Sequence, residues 1–187
     1  MIVVVEYDPE WPIIFDRLKA RIWPSIAPWA MALEHVGSTS VPGLAVKPVI
    51  DMDIIVTTLR NLPHITRALS TLGYEPRGNL GIEGREAFRA PEGFPIHHLY
   101  VCEDGSLPLR NHLILRDHLR SHPNARAAYA ALKRRLASSH SDCIERYVEG
   151  KTEFIIDVLR NHGITDLQEI RDANRVTGSN ESGIKAE

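Results

Sequence analysis

At 187 residues and 43% hydrophobic content, the chain is long enough for one well-buried core and too short for two comfortable domains. Its 22 basic and 24 acidic residues leave a formal charge of -2, which excludes a global pull toward nucleic acid or an anionic membrane and leaves polyanion specificity to local clustering. Cys102 and Cys143 lack CxxC spacing and suggest neither a disulfide framework nor a zinc knuckle.

The chain opens on MIVVVEYDPEW, whose four-residue apolar run has no basic start and is followed at once by a charge and a proline, so it does not read as a secretory signal. With no segment near the ~20 apolar residues of a membrane span, a soluble, cytoplasmic protein is expected. Ile2 to Glu6 reads as a short strand. Asp8-Pro9-Glu10-Trp11 opens an amphipathic helix to about Ile22, with Pro24 and Pro28 closing the region. Met31 to Val36 forms a strand that delivers a Gly-Ser turn, and Val49 to Val56 forms the next one. Asn61-Leu62-Pro63 starts a helix that Gly73 stops. From Tyr74 to Gly93 the chain is rich in Gly and Pro, which predicts a loop and a short strand around Arg85 to Ala90. A strand over Pro95 to Cys102 precedes three helices, at about Leu107 to Ser121, Asn124 to Ser139 and Asp142 to Asn161. Residues 1–163 are expected to form one domain, followed by a 164–187 extension whose polar end, Thr177 to Glu187, reads as a frayed tail.

The chemistry concentrates in HVGSTSVPGLAVKPVIDMDI, residues 35–54. Side chains alternate along a strand, so Asp51 and Asp53 share one face while Ile50, Met52, Ile54 and Val56 share the other. The greasy face goes to the core and the carboxylates are expected to face an open cleft. Two adjacent carboxylates repel unless a cation sits between them or one takes up a proton. Hard oxygen ligands of this kind suit Mg2+ or Mn2+, bound through one or two carboxylates plus substrate phosphates. Upstream, Gly37 lets the backbone approach a ligand closely, and Ser38, Thr39 and Ser40 offer hydroxyl and N–H groups. A nucleoside triphosphate would fit both halves.

These residues resemble the GrpB family, a branch of the nucleotidyltransferase superfamily, through Val36, Gly37, Ser38 and then Asp51, Met52, Asp53, Ile54. The likeness continues through Tyr7-Asp8-Pro9, Trp11, His98-Leu99-Tyr100-Val101, Leu109-Arg110-Asn111-His112-Leu113, Arg116-Asp117, Tyr147 and Gly150-Lys151. It implies an α/β (α+β) fold, a small mixed sheet of nucleotidyltransferase type flanked by helices with a C-terminal helical bundle. It also implies metal-dependent transfer of a nucleotidyl group from a nucleoside triphosphate to an acceptor. The rival expectation is a non-catalytic nucleotide- or ligand-binding accessory module that has lost the third catalytic carboxylate.

The departure from the superfamily pattern is His98, which stands where a third carboxylate would complete the metal site. Its ordinary pKa of about 6.5 suits either a ligand or a general base. Lys151 falls inside the apolar stripe Ile144, Val148, Ile155, Val158, Leu159, and the family likeness directs it to the cleft, where its ammonium would meet a phosphate. Arg110 and Arg116 are candidate phosphate forks, and Lys47 and Arg89 are weaker candidates of the same kind. Lys133-Arg134-Arg135 reads as surface, and His35 as a satisfied core histidine. The expected acceptor is a small molecule or a protein side chain rather than a long nucleic acid.

Overall fold

The computed structural model describes residues 1–165 and 167–172, so the expected frayed tail at Thr177 to Glu187 lies outside the described residues. Five strands form one mixed sheet in the order β1-β2-β5-β4-β3. Inside it, β2 (Ile50–Val56) runs antiparallel to β1 (Ala32–Val36) and parallel to β5 (His97–Glu103); β4 (Arg85–Arg89) and β3 (Glu75–Pro76) extend the sheet antiparallel. Strand alternation assigns the faces. Leu33, Met52, Ile54, Val56, Leu99 and Val101 pack with buried residues of α1 (Glu10–Ile26) and α2 (Leu62–Thr71) into the main core. Each fully buried aliphatic there contributes roughly 1.5–3 kcal/mol relative to exposure.

The opposite face carries Asp51, Asp53 and Ile55 on β2 beside His98, Tyr100 and Cys102 on β5. Only part of it is covered: α3 (Leu107–Ser121) places Leu109 against Ile55 and Cys102. After α3 come α4 (Pro123–Ser139), α5 (Ile144–Glu149) and α6 (Thr152–Asn161). Ile155, Ile156, Leu159, Ile164 and Ile170 form a second apolar cluster with Leu107 and Ile114, so packing continues past Gly163. No helix of the described residues is long and apolar enough to cross a membrane.

Four local expectations are corrected. Ile2 to Glu6 forms no strand; it makes one isolated bridge, Val5 to Val46, while Ile2 N–H donates to Ser141 O at 2.7 Å. The segment is therefore stretched between two neighbours rather than paired along one. The first helix runs through Pro24 to Ile26, because Ile22 and Ile26 are both fully buried and hold that last turn on the sheet. The last expected helix is two, split at Gly150-Lys151. A Cβ on Gly150 would overlap Leu136 of α4, so the bare backbone is what lets α5 pack there. Finally, β3 is an unforeseen two-residue edge strand.

The free edge of β1 is protected by charge. Lys19 Nζ donates to Leu33 O at 3.0 Å, and Arg116 Nη1 donates to His35 O at 3.1 Å. Both carbonyls point away from β2 and would otherwise invite a further strand.

Candidate functional site

The site is built where β1 ends and turns into the loop before β2. Gly37 adopts φ 66, ψ -170, a region essentially restricted to glycine. A Cβ there would overlap Asp51 Oδ2 and stand 2.7 and 2.8 Å from Asp51 Cγ and Cβ, so the turn lies directly against that carboxylate. The 3-10 turn Ser38–Ser40 follows and is fastened from below. Thr39 Oγ1 donates to Val49 O at 3.1 Å and accepts from His35 Nε2 at 3.0 Å, which places a proton on Nε2. Burial lowers the His35 pKa to about 4, outweighing the attraction of Asp51, and the ring stacks on Phe15. Ser40 Oγ donates to Gly37 O at 2.6 Å, and Arg120 grips Ser40 O through Nε and Nη2 at 3.0 and 2.8 Å. Thr39 is fully buried with its hydroxyl engaged in these bonds, and Ser40 lines the groove beside β1, so Gly37 and Ser38 are the members of the expected cradle that line the cavities at Asp51.

Asp51 and Asp53 do share a face, but they do not share an environment. Asp51 keeps a side-chain exposure of 29% and accepts a hydrogen bond from His98 Nδ1 at 2.8 Å. Burial pushes its pKa up, but the His98 hydrogen bond, the charges of His98 and His112, and Lys47 prevail, and the carboxyl sits below its ordinary value. Asp53 is fully buried, contrary to the expected open position: α3 crosses above it, and His112 Nδ1 donates to its Oδ2 at 2.7 Å. Asp53 Oδ1 is buried and makes no hydrogen bond among the described residues. For His112, burial works against protonation, but the charge and hydrogen bond of Asp53 dominate and the pKa is raised. Two Asp–His pairs thus stand side by side.

His112 entered the sequence reading within the family string Leu109-Arg110-Asn111-His112-Leu113, without a role of its own.

Asp51 and His98 form the wall between two cavities. The smaller, about 90 Å³, is lined by Ser38, Lys47, Val49, Lys133, Tyr147 and Lys151 as well. Here the structure corrects the surface reading of Lys133, which is 2% exposed: its Nζ donates to Ser38 Oγ at 2.9 Å and lies 5.0 Å from the Tyr129 ring centroid. Burial, reinforced by Lys151, lowers its pKa to about 6. Lys151 Nζ lies over the Tyr147 ring at 4.3 Å. Ser38, Lys47, Lys151, Asp51 and His98 are therefore brought together as expected, with Lys133 added.

Three expected arginines are elsewhere. Arg89 is exposed on β4, 3.6 Å from Glu75. Arg110 is exposed on α3 and lines neither cavity. Arg116 bonds Glu34 Oε2 and Asp117 Oδ1, both at 2.7 Å, in a groove beside β1. Arg116 shares the helix face of His112 but stands one turn further along α3, where it meets Glu34 and His35 O of β1 instead of the cavities.

The fit of a divalent cation is decided by the donor set. Among the described residues no three His, Cys, Asp or Glu side chains converge as a cage. Two carboxylates remain, one with an unpartnered buried oxygen. Such a pair fits Mg2+ or Mn2+ held jointly with substrate phosphates.

The family model described as "GrpB protein" matches residues 1–161. The "UPF0157 protein YqkA" of Bacillus subtilis is 38% identical over 152 residues, covering 81% of this chain and 44% of that protein. A crystal structure of "conserved protein GrpB" from Enterococcus faecalis superposes with a TM-score of 0.75 at 30% identity, covering 87% of this chain and all of the other. Cid1 in complex with its short product ApU superposes with a TM-score of 0.52 at 14% identity, covering 79% of this chain and 49% of that one. At that identity the likeness concerns the fold alone, which is nucleotidyltransferase-like. The chain spans under half the length of both YqkA and Cid1.

Proposed function

Because the chain belongs to the GrpB family, we propose that this nucleotidyltransferase-like protein binds a nucleoside triphosphate across the Asp51–His98 wall and transfers its nucleotidyl group to an acceptor hydroxyl. The observation that carries the reading is Lys133, a buried lysine whose amine touches the Ser38 hydroxyl in a cavity shared with Lys47, Lys151 and Asp51. Three lysines around one serine turn supply the positive charge that a polyphosphate requires.

The chain's own residues have distinct tasks. Ser38 and the lysines hold the terminal phosphates and take up the charge that develops on the leaving pyrophosphate. Asp51, accepting from His98 Nδ1–H, orients the ring and leaves Nε2 as the nitrogen that acts as base. His98 then takes the proton of the acceptor hydroxyl as its oxygen bonds to the α-phosphorus and the bond to pyrophosphate breaks. Asp51 and Asp53 would hold Mg2+ or Mn2+, which when bound offsets phosphate charge.

A second reading rests on one observation: Asp53 is fully buried under His112. A site that keeps one accessible carboxylate would serve a nucleotide-binding accessory module without turnover.

Nucleotide binding is expected to draw a proton. Above pH 6 free Lys133 is largely neutral, and an adjacent polyphosphate restores its charge. Calorimetric titration of ATP, GTP, CTP and UTP at pH 8, in buffers of different ionisation enthalpy, should read uptake approaching one proton for the preferred nucleotide. Lys133→Met should abolish the uptake and weaken binding at least about tenfold. Uptake that persists in Lys133→Met, or binding that ignores the substitution, would remove the phosphate assignment.

A further inference from the structure

Beyond Asp51 and His98 lies the larger cavity, about 430 Å³, enough for a small molecule. Its lining includes Arg85 of β4, which is 5% exposed. The guanidinium lies 4.6 Å from the Tyr100 ring centroid, but no carboxylate among the described residues comes within ion-pair distance, and Nε makes no hydrogen bond. Asn111 Oδ1, on α3 at the same cavity, is likewise buried without a partner.

A buried cation with unmade hydrogen bonds lowers stability, and a cation–π contact returns only part of that cost. Its five N–H groups in a planar fork match an oxyanion. We infer that this cavity receives a small molecule through a carboxylate or a phosphate monoester bound at Arg85, with Asn111 Oδ1 accepting a hydrogen bond from a hydroxyl or amine of the same molecule. Glu83 and Glu169, exposed at the cavity, disfavour a polyanion and favour a ligand with a single anionic group. Naming this ligand the acceptor rests on the transferase reading; the anion pocket does not.

The test uses lactate, β-alanine and glycerol 3-phosphate as probes in thermal-shift and calorimetric titrations of the full chain, wild type, Arg85→Met, Arg85→Lys and Lys133→Met. At least one probe should stabilise wild type and Lys133→Met alike. Its affinity should fall at least about tenfold in Arg85→Met and partly recover in Arg85→Lys. Arg85→Met should melt no lower than wild type and still bind the triphosphate. A response to the carboxylates assigns a carboxylate ligand, and a response to glycerol 3-phosphate alone assigns a phosphate monoester. The inference is overturned if no probe stabilises wild type, if stabilisation survives Arg85→Met, or if Arg85→Met and Arg85→Lys both lose stability without any probe effect. It is also overturned if Arg85→Met abolishes triphosphate binding, which would give the guanidinium to the nucleotide. An Arg85-dependent probe effect in a protein that binds no triphosphate leaves the pocket standing and removes the transferase reading.

Discussion

His112→Ala should destabilise the protein by about 3–5 kcal/mol, because it leaves the fully buried Asp53 carboxylate without its partner. Adding Asp53→Asn to His112→Ala should recover part of that loss by removing the charge, a coupling that a double-mutant cycle in urea reads directly. The pH dependence has a definite sign. The folded-state pKa of His112 is raised, so its contribution is full below the unfolded value of about 6.5 and fades as pH rises through the folded value. The His112→Ala penalty should therefore be larger at pH 6 than at pH 9. A penalty under about 1 kcal/mol, or one that grows with pH, would contradict the pairing.

Gly37→Ala should be nearly as costly and more damaging to the site. The backbone conformation alone costs an L residue about 1–3 kcal/mol. The new methyl must in addition displace the Asp51 carboxylate, which lies where the Cβ would go. A total near 3 kcal/mol corresponds to a melting-point loss of about 6–12 °C for a chain of this size. Because the displaced group is Asp51, nucleotide binding should be lost even where the variant remains folded. Thermal melts paired with nucleotide titration check both halves, and an unchanged affinity in folded Gly37→Ala would separate the turn from the site.

What the sequence made legible was local. The i, i+2 aspartates on a strand, the glycine turn before them and the boundaries of α3 follow from period-2 alternation, glycine stereochemistry and a proline near the helix start. What it concealed was set by packing between distant elements. Asp53 looks equivalent to Asp51 along β2; only the passage of α3 overhead buries one and leaves the other accessible. Lys133 was assigned to the surface with Arg134 and Arg135 as a run opposite the stripe Ala125, Ala128, Tyr129, Leu132, Leu136, although it follows Tyr129 by four residues and precedes Leu136 by three, on the buried side of α4. The same periodicity that marked Lys151 would have marked it. Arg116 illustrates the reverse error, a fork suited to phosphate that instead holds Glu34 and the edge of β1.

The most direct test of nucleotide binding at the Asp51 cleft is a thermal-shift titration of the four nucleoside triphosphates, with and without Mg2+ or Mn2+, on wild type and Asp51→Asn. Stabilisation by a triphosphate that requires the cation and disappears in Asp51→Asn is the predicted result. No shift with any triphosphate, or an equal shift in the variant, would contradict it.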